Sequence, residues 1–322
     1  MLKEILILGL IVALRMLPAQ IPEVEASEQP FKLSATADLV LLDVRVKDGA
    51  SERIPNLNKD NFKVYEDGKL QKITQFAGDD LPVTVGLVID SSDNMRAKYN
   101  DVVTAALSFV QASNREDEVF VVNFGDGVRS ALPDGVPFTA DIRQLGTALS
   151  SGVPAGRTAL YDAILFSLRH LKKGKSERKA LVLVSDGGDN SSTHGAEEVM
   201  QVVQESRATI YAIGIFDADD PDLNPRLLRR LAHVSGGESF FPENLSEAVG
   251  ICRRIANDIR TRYTIAYVPV RSGEQGSVRK IRVAASTANG HKLVVHTRTS
   301  YVLPPQRSLA DPDGEPRRKP GL

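Results

Sequence analysis

The sequence predicts an α/β fold: a doubly wound, mainly parallel sheet, with a β-rich accessory module formed by the segments that flank it. Three observations carry this. Between Pro82 and Arg262, short continuous apolar runs at Val83–Ile89, Val119–Phe124, Ala180–Val184 and Thr209–Ile215 alternate with amphipathic stretches of helical length. Runs of that kind are strands buried on both faces, and their alternation with helices marks βαβ units. Before this segment, from Phe31 to Phe76, and after it, from Tyr263, the pattern turns β-like and rich in branched residues. With 322 residues, 42% hydrophobic and 25% charged, the chain is long enough for one large domain and a smaller one.

Taken in order, the chain begins with an apolar run, Ile5–Leu14, closed by Arg15. It is too short to span a bilayer comfortably and fits the core of an export signal. Residues 1–26 are therefore expected to be a signal peptide, with small-residue cleavage points after Ala19 and Ala26. An uncleaved anchor is the competing reading, and membrane association is expected only in that case. The N-terminal β segment, 31–79, holds a strand at Leu39–Val46, a loop at Lys47–Asn58 and a short strand at Phe62–Tyr65. The Asp67-Gly68 pair is a hairpin turn, with Gln71–Phe76 as the expected returning strand.

The central α/β domain is expected over 82–262. Its helices are marked by Val102/Ala106/Phe109/Val110, by Leu160/Ile164/Leu168/Leu171 and by Val199/Val202/Val203. A further helical spacing, Leu245, Ala248, Val249, Cys252, Ile255 and Ile259, places the one cysteine on a buried face, where it reads as a small core hydrophobe. The C-terminal β segment, 263–303, contains strand-like stretches at Thr264–Val268, Arg279–Ala285 and Lys292–Tyr301. The Pro-rich tail, 304–322, has little to bury and reads as disordered. Isolated hairpins are marginal in water. The two flanking β segments are therefore expected to pair with each other in a sandwich-like module, with the α/β domain inserted between them.

Several classes of function are set aside by the composition. A net charge of −1 gives no basis for nucleic-acid binding, and a single cysteine excludes a disulfide framework. Gly174-Lys175-Ser176 lacks the upstream glycine of a phosphate loop, because Arg169 stands there. Gly125-Asp126-Gly127 follows a strand, but Ser130 replaces the third glycine of a dinucleotide loop. No Gly-x-Ser-x-Gly elbow and no His-Glu-x-x-His pair occurs.

What remains is a set of oxygen-bearing residues at strand ends. Val83–Ile89 runs into Asp90-Ser91-Ser92-Asp93-Asn94, and Ala180–Val184 runs into Ser185-Asp186-Gly187. Thr158 precedes a helix. Ligands of open α/β sheets bind beyond the carboxyl ends of the strands. If the two strands are neighbours, Asp90, Ser92, Thr158 and Asp186 meet on one rim. Carboxylates, hydroxyls and an amide are hard ligands for Mg²⁺, Mn²⁺ or Ca²⁺. Singly, each residue also fits a helix cap or a turn.

Asp90-Ser-Ser-Asp-Asn94, Thr158 and Asp186 together resemble the metal-ion-dependent adhesion site of von Willebrand factor type A domains, Asp-x-Ser-x-Ser with a distant Thr and a distant Asp. Thr158–Ile164 and Leu183–Asn190 resemble bacterial members, and the flanks at Asp60–Lys69, Tyr263–Pro269 and Lys280–Val283 resemble exported proteins described as VWFA-related, acidobacterial type. Asn94 departs from the pattern by standing in the second serine position.

The resemblance implies binding rather than turnover. Asp90, Ser92, Asn94, Thr158 and Asp186 would hold a divalent cation, Mg²⁺ first and Mn²⁺ or Ca²⁺ next. Asp93, Asp162 and Asp189 are auxiliary candidates, and a partner protein's Asp or Glu would complete the coordination. Two other readings stand beside it: a metal-assisted hydrolase using Asp90, Asp93, Asp186 and Asp189, and a structural module with a vestigial metal site.

Overall fold

The structure, a computed structural model, describes residues 39–48, 56–78, 81–216, 223–269 and 276–303. The expected signal peptide, the first residues of the N-terminal β segment, most of the turn at 271–276 and the C-terminal tail lie outside the described residues.

Four strands come first: β1 (Val40–Lys47), β2 (Phe62–Glu66), β3 (Lys69–Gln71) and β4 (Ile73–Ala77). The α/β portion follows as β5 (Val83–Asp90), α1 (Tyr99–Ala112), β6 (Glu118–Phe124), β7 (Val128–Ser130), α2 (Ile142–Ser150), α3 (Leu160–Leu171), β8 (Arg178–Ser185), α4 (Ala196–Glu205), β9 (Thr209–Gly214), α5 (Pro225–Ser235), β10 (Ser239–Phe240) and α6 (Leu245–Arg260). The described chain ends with β11 (Tyr263–Tyr267), β12 (Val278–Ser286), β13 (Lys292–His296) and β14 (Ser300–Val302).

The central sheet has six strands in the order β10-β9-β8-β5-β6-β7 and is parallel except at the β7 edge. Every residue of β5 and β9 is buried, as expected for strands covered on both faces. α6 and α2 pack against α1, while α3, α4 and α5 form a second run of neighbours. After β5 the chain adds β6 on one side and then crosses to add β8 on the other. Strand order therefore reverses at β5 and β8, which makes their carboxyl ends the natural binding crevice.

Two helices were not among the sequence expectations, although their end signals are present. Asp141 caps α2 by accepting hydrogen bonds from the Arg143 and Gln144 amides. α5 opens with Asn224 and Pro225 and closes on Gly236 in the left-handed conformation.

The second sheet follows the order β3-β2-β12-β13-β1-β11-β4, with β14 paired to β12. Strands from before and after the central sheet thus alternate within one hydrogen-bonded path. Its two ends face each other, since Phe62 on β2 meets Phe76 on β4 and Tyr263 on β11 at ring separations of 5.3–5.4 Å. Inside, the Glu66 carboxylate accepts hydrogen bonds from the Tyr267 and Tyr301 hydroxyls at 2.7 and 2.9 Å.

Two strand expectations are corrected. The hairpin turn at Asp67 (φ 47°) and Gly68 (φ 81°) is present, but the returning strand is only β3. The chain then leaves β2, and β4 pairs with β11 instead. The stretch Lys292–Tyr301 is two strands, because its middle passes over Gly236, where a Cβ would lie 2.3 Å from the Arg298 amide nitrogen. Arg298 there donates to the Gln204 carbonyl at 2.6 Å.

The two sheets are joined by buried charge. Arg45, 2% exposed on β1, forms ion pairs with Asp258 on α6 and with Glu238. Asp258 also pairs with Arg262 at 3.1 Å and accepts a hydrogen bond from the Tyr211 hydroxyl of β9. Arg178, the first residue of β8, donates to Thr264 Oγ1 at 3.0 Å and to the Arg262 carbonyl at 2.7 Å. The second sheet therefore docks near the amino ends of the parallel strands and leaves their carboxyl ends clear.

Removing one member of such a cluster strands the others without a counter-charge. Asp258→Ala should cost about 3–5 kcal/mol of stability, read as a lowered midpoint in urea unfolding; a loss below about 1 kcal/mol would mean that the joint contributes little.

Candidate metal site at the strand crossover

The parallel register pairs Ile89 with Val184, so Asp90 and Ser185 emerge side by side from β5 and β8. The Ser185 hydroxyl donates to Asp90 Oδ2 at 2.7 Å, and the Ser92 amide donates to Asp90 Oδ1 at 3.0 Å. Asp186 follows directly and turns the chain, its Oδ1 accepting from the Gly188 amide at 2.8 Å. Gly187 has φ +82°, and a Cβ there would sit 2.6 Å from the Asn224 carbonyl oxygen, so this turn requires glycine.

Backbone bonds stitch the loops of the rim together. The Ala155 amide donates to the Ser91 carbonyl at 2.9 Å, and the Asp93 amide to the Gly156 carbonyl at 3.0 Å. Thr158 is held from the other side: its amide donates to Asn190 Oδ1 at 2.9 Å, and its carbonyl accepts from the Asn190 amide at 3.0 Å. Asp90, Ser92, Thr158 and Asp186 are all buried at this rim.

The cap readings do not hold for the two hydroxyl residues. Ser92 precedes a short 3₁₀ turn (Asp93–Met95) and makes no side-chain cap bond. Ala159, not Thr158, occupies the cap position of α3. The α3 amides of Tyr161 and Asp162 are instead met by Asp189 Oδ2 at 2.8 Å and Ser192 Oγ at 3.1 Å. Ser92 Oγ is close enough to Asp90 to favour its ionised form slightly, yet it is buried with no partner in hydrogen-bond geometry. A buried hydroxyl left in this state is costly unless something else meets its lone pairs.

The other candidates lie differently. Asn94 is on the exposed side of the 3₁₀ turn. Asp93 is exposed and pairs with Arg96 at 2.5 Å, whose guanidinium holds the carboxyl below its usual range. Asp189 is occupied by the start of α3 and by the Ser192 hydroxyl. Asp162 accepts from the Thr193 amide at 3.0 Å and lies 2.6 Å from His194 Nδ1. Burial raises its pKa, but these bonds outweigh burial and leave it lowered. Asp162 and Asp189 are thus loop anchors. Among the described residues no group of three or more His, Cys, Asp and Glu is placed to hold a metal. Of the four carboxylates of the hydrolase reading, Asp90 and Asp186 are buried at the rim, while Asp93 pairs with Arg96 and Asp189 holds the start of α3.

Ser185 and Asn190, which orient Asp90 and Thr158, were not among the sequence candidates, although both lie within the Leu183–Asn190 stretch that carried the resemblance. Cys252 is buried on α6 as expected, and burial pushes its thiol pKa up to about 12.

The sequence profile of the von Willebrand factor type A domain matches residues 84–252, just over half of the chain. The chain belongs to the von Willebrand factor type A domain family. No curated protein matches it. Among solved structures, a von Willebrand factor type A protein from Catenulispora acidiphila is 16% identical, with 84% of this chain and 76% of that chain covered and a TM-score of 0.51. The vWF domain of the type V pili tip protein Mfa5 from Porphyromonas gingivalis is 14% identical over 55% of this chain and 96% of that one, TM-score 0.46. Proximal thread matrix protein 1 from the mussel byssus, solved with a zinc-occupied MIDAS motif, is 15% identical over 60% and 49%, TM-score 0.47. At these identities the likeness concerns the fold. Of the residues that carry the resemblance, Asp90, Ser92, Thr158 and Asp186 are buried at the rim just described, and Asn94 lies on the exposed side of the 3₁₀ turn.

Burial first, and the neighbouring Asp186 charge second, raise the Asp90 pKa from 3.8 to about 6. Its folded pKa lies above its unfolded one, so the metal-free fold loses stability as pH rises through this interval and carries the full penalty above it. In chelator-treated protein at pH 7, Asp90→Asn should therefore raise stability by on the order of 2 kcal/mol. The gain should vanish near pH 4, and urea unfolding across that range tests both statements.

Proposed function

We propose that this protein is an exported, divalent-cation-dependent protein-binding module whose adhesion-type site captures a carboxylate from a partner. The observation that carries this reading is the buried, unpartnered Ser92 hydroxyl beside two buried carboxylates at the strand crossover. A hard cation resolves both problems of that arrangement: it supplies a partner for the hydroxyl and offsets the repulsion between Asp90 and Asp186. The donors present suit Mg²⁺, with Mn²⁺ or Ca²⁺ as alternatives.

In this reading Ser92 and Thr158 hold the ion through hydroxyl oxygens, and Asp90 and Asp186 hold it directly or through water. Asn94 offers an amide oxygen in place of the family's second serine. The ion supplies residual positive charge, which an Asp or Glu of the partner neutralises. Ser185 and Asn190 keep the ligand residues in place, and the domain works by binding.

The second sheet is proposed to be an accessory module, made of residues 31–79 and 263–303 around a central domain at 82–262. Its docking near the opposite ends of the strands leaves the metal rim free for a partner. Among the described residues no helix is long and apolar enough to cross a membrane. Export rests on the apolar run Ile5–Leu14. A reporter fused after Gln29 should be active only outside the cytoplasm, and cytoplasmic activity would overturn that part of the proposal.

Titration calorimetry with Mg²⁺, Mn²⁺ and Ca²⁺ tests the site. Wild type should bind at least one of them at or below millimolar concentration, and binding should raise the melting temperature by mass action. Asp90→Ala should lose the binding while keeping the fold, and Asn94→Ser should bind as well or more tightly. A wild-type chain that binds none of the three leaves the vestigial-site reading.

A further inference from the structure

The second sheet opens where the chain passes over Gly236. β13 pairs with β1 only over residues 45–47, and β14 turns away to pair with β12. Residues 40–44 of β1 therefore have a strand neighbour only on the β11 side. A cavity of about 160 Å³ lies in this opening, walled by residues 39–41, by residues 301–303 and by Pro269. An apolar space of that order holds a benzene ring. Glu205 and Arg207, which precede β9, also border it, so it sits at the end of the parallel strands opposite the metal rim.

The third charged side chain on this cavity is Arg298, which is half-buried. Its Nε donates to the Ser300 carbonyl at 2.9 Å and its Nη2 to the Gln204 carbonyl at 2.6 Å. Nη1 has no partner among the described residues and is not a sealed atom, so it remains open to a ligand. Arg298 borders one other cavity, of about 20 Å³, which also touches Arg207. That space has room for about one water, so the larger cavity is the one that takes a ligand.

No carboxylate neutralises the two arginines. Arg207 is exposed and makes no hydrogen bond or ion pair among the described residues. Glu205 is exposed and accepts from Gln201 Nε2 at 2.9 Å. Asp43, on the smaller cavity with Glu177 and Arg178, lies 3.8 Å from Arg178 Nε. Burial first, and the Arg207 charge second, push the Arg298 pKa down to about 10, and Asp43 opposes them only in part. An anion placed between the two guanidinium groups offsets their repulsion, and a carboxylate matches the planar fork of donors. The apolar walls reward a ligand with a body to bury.

We propose that this opening is a binding site for a small apolar carboxylate, a single ring or short branched chain carrying one carboxylate group. Its body packs against residues 39–41 and 301–303, and its carboxylate meets Arg298 Nη1 and Arg207. The site is separate from the metal rim and does not depend on the cation reading.

Benzoate is the probe, titrated into the full chain and followed by saturation-transfer NMR and calorimetry. Its dissociation constant should be on the order of a millimolar or lower. Benzamide, which keeps the ring and loses the charge, should bind at least about tenfold more weakly. Inorganic phosphate, which has charge and no apolar body, should fail to displace benzoate at about tenfold excess. Arg207→Glu should weaken benzoate about tenfold or more, and Leu41→Trp, which fills the opening, should abolish its binding. The Arg207 side chain is exposed, so Arg207→Glu decides the matter even if Leu41→Trp fails to fold. The proposal is overturned by a wild-type chain that binds no benzoate at about 10 mM, by benzamide binding as tightly, by displacement with phosphate, or by wild-type benzoate affinity in Arg207→Glu.

Discussion

The parallel register of β5 against β8 is the constraint from which the rest of the rim follows. It pairs Ile89 with Val184 and so brings two acidic strand ends out side by side at the point where strand order reverses. Both strands are packed by helices on their two faces and cannot slide without exposing Val83–Ile89 and Ala180–Val184. The repulsion between Asp90 and Asp186 is thus held in place by hydrophobic burial elsewhere. A rim built this way is preorganised, and its side chains have little freedom to rearrange.

The same carboxylate illustrates how burial and function are opposed. Asp90 is fully buried, and its two oxygens are spent on one amide and one hydroxyl. Those bonds favour the ionised form, yet desolvation and Asp186 outweigh them and move the pKa to about 6. A fold selected for stability alone would place a neutral group here. Structure and electrostatics agree that the rim is kept in a costly state, as binding sites commonly are.

At the other ends of the strands, charge is used differently. Arg45, Asp258, Arg262 and Tyr211 pair with one another. The contacts of Arg45 with Asp258 and of Tyr211 with Asp258 and Arg262 join elements distant in sequence, while Asp258 and Arg262 are four residues apart. An arrangement of this kind adds little net stability over a well-packed apolar joint, but it penalises any other alignment of the sheets. The alternation of early and late strands in the second sheet adds to this, because neither flank offers a complete set of backbone partners alone.

The sequence by itself determined four strands (β5, β6, β8, β9) and four helices (α1, α3, α4, α6) of the central domain and the residue types at its strand ends, because periodicity and turn chemistry are local; α2, α5 and the short edge strands β7 and β10 emerged only in the structure. The sequence also identified the family, through Asp90–Asn94, Thr158 and Asp186, since those residue types recur in a fixed order. Other features depended on contacts it does not encode locally. The departure of β4 from its hairpin, the split between β13 and β14 over Gly236, and the burial of Arg45 on a strand that reads as simple alternation all arise from partners far along the chain. The division of the acidic residues is of the same kind: Asp162 and Asp189 anchor loops far along the chain, while Asp90 and Asp186, which also accept from amides two residues on, lie buried at the rim with Ser92. A carboxylate's role is set by which donors reach it, and only the tertiary structure decides that.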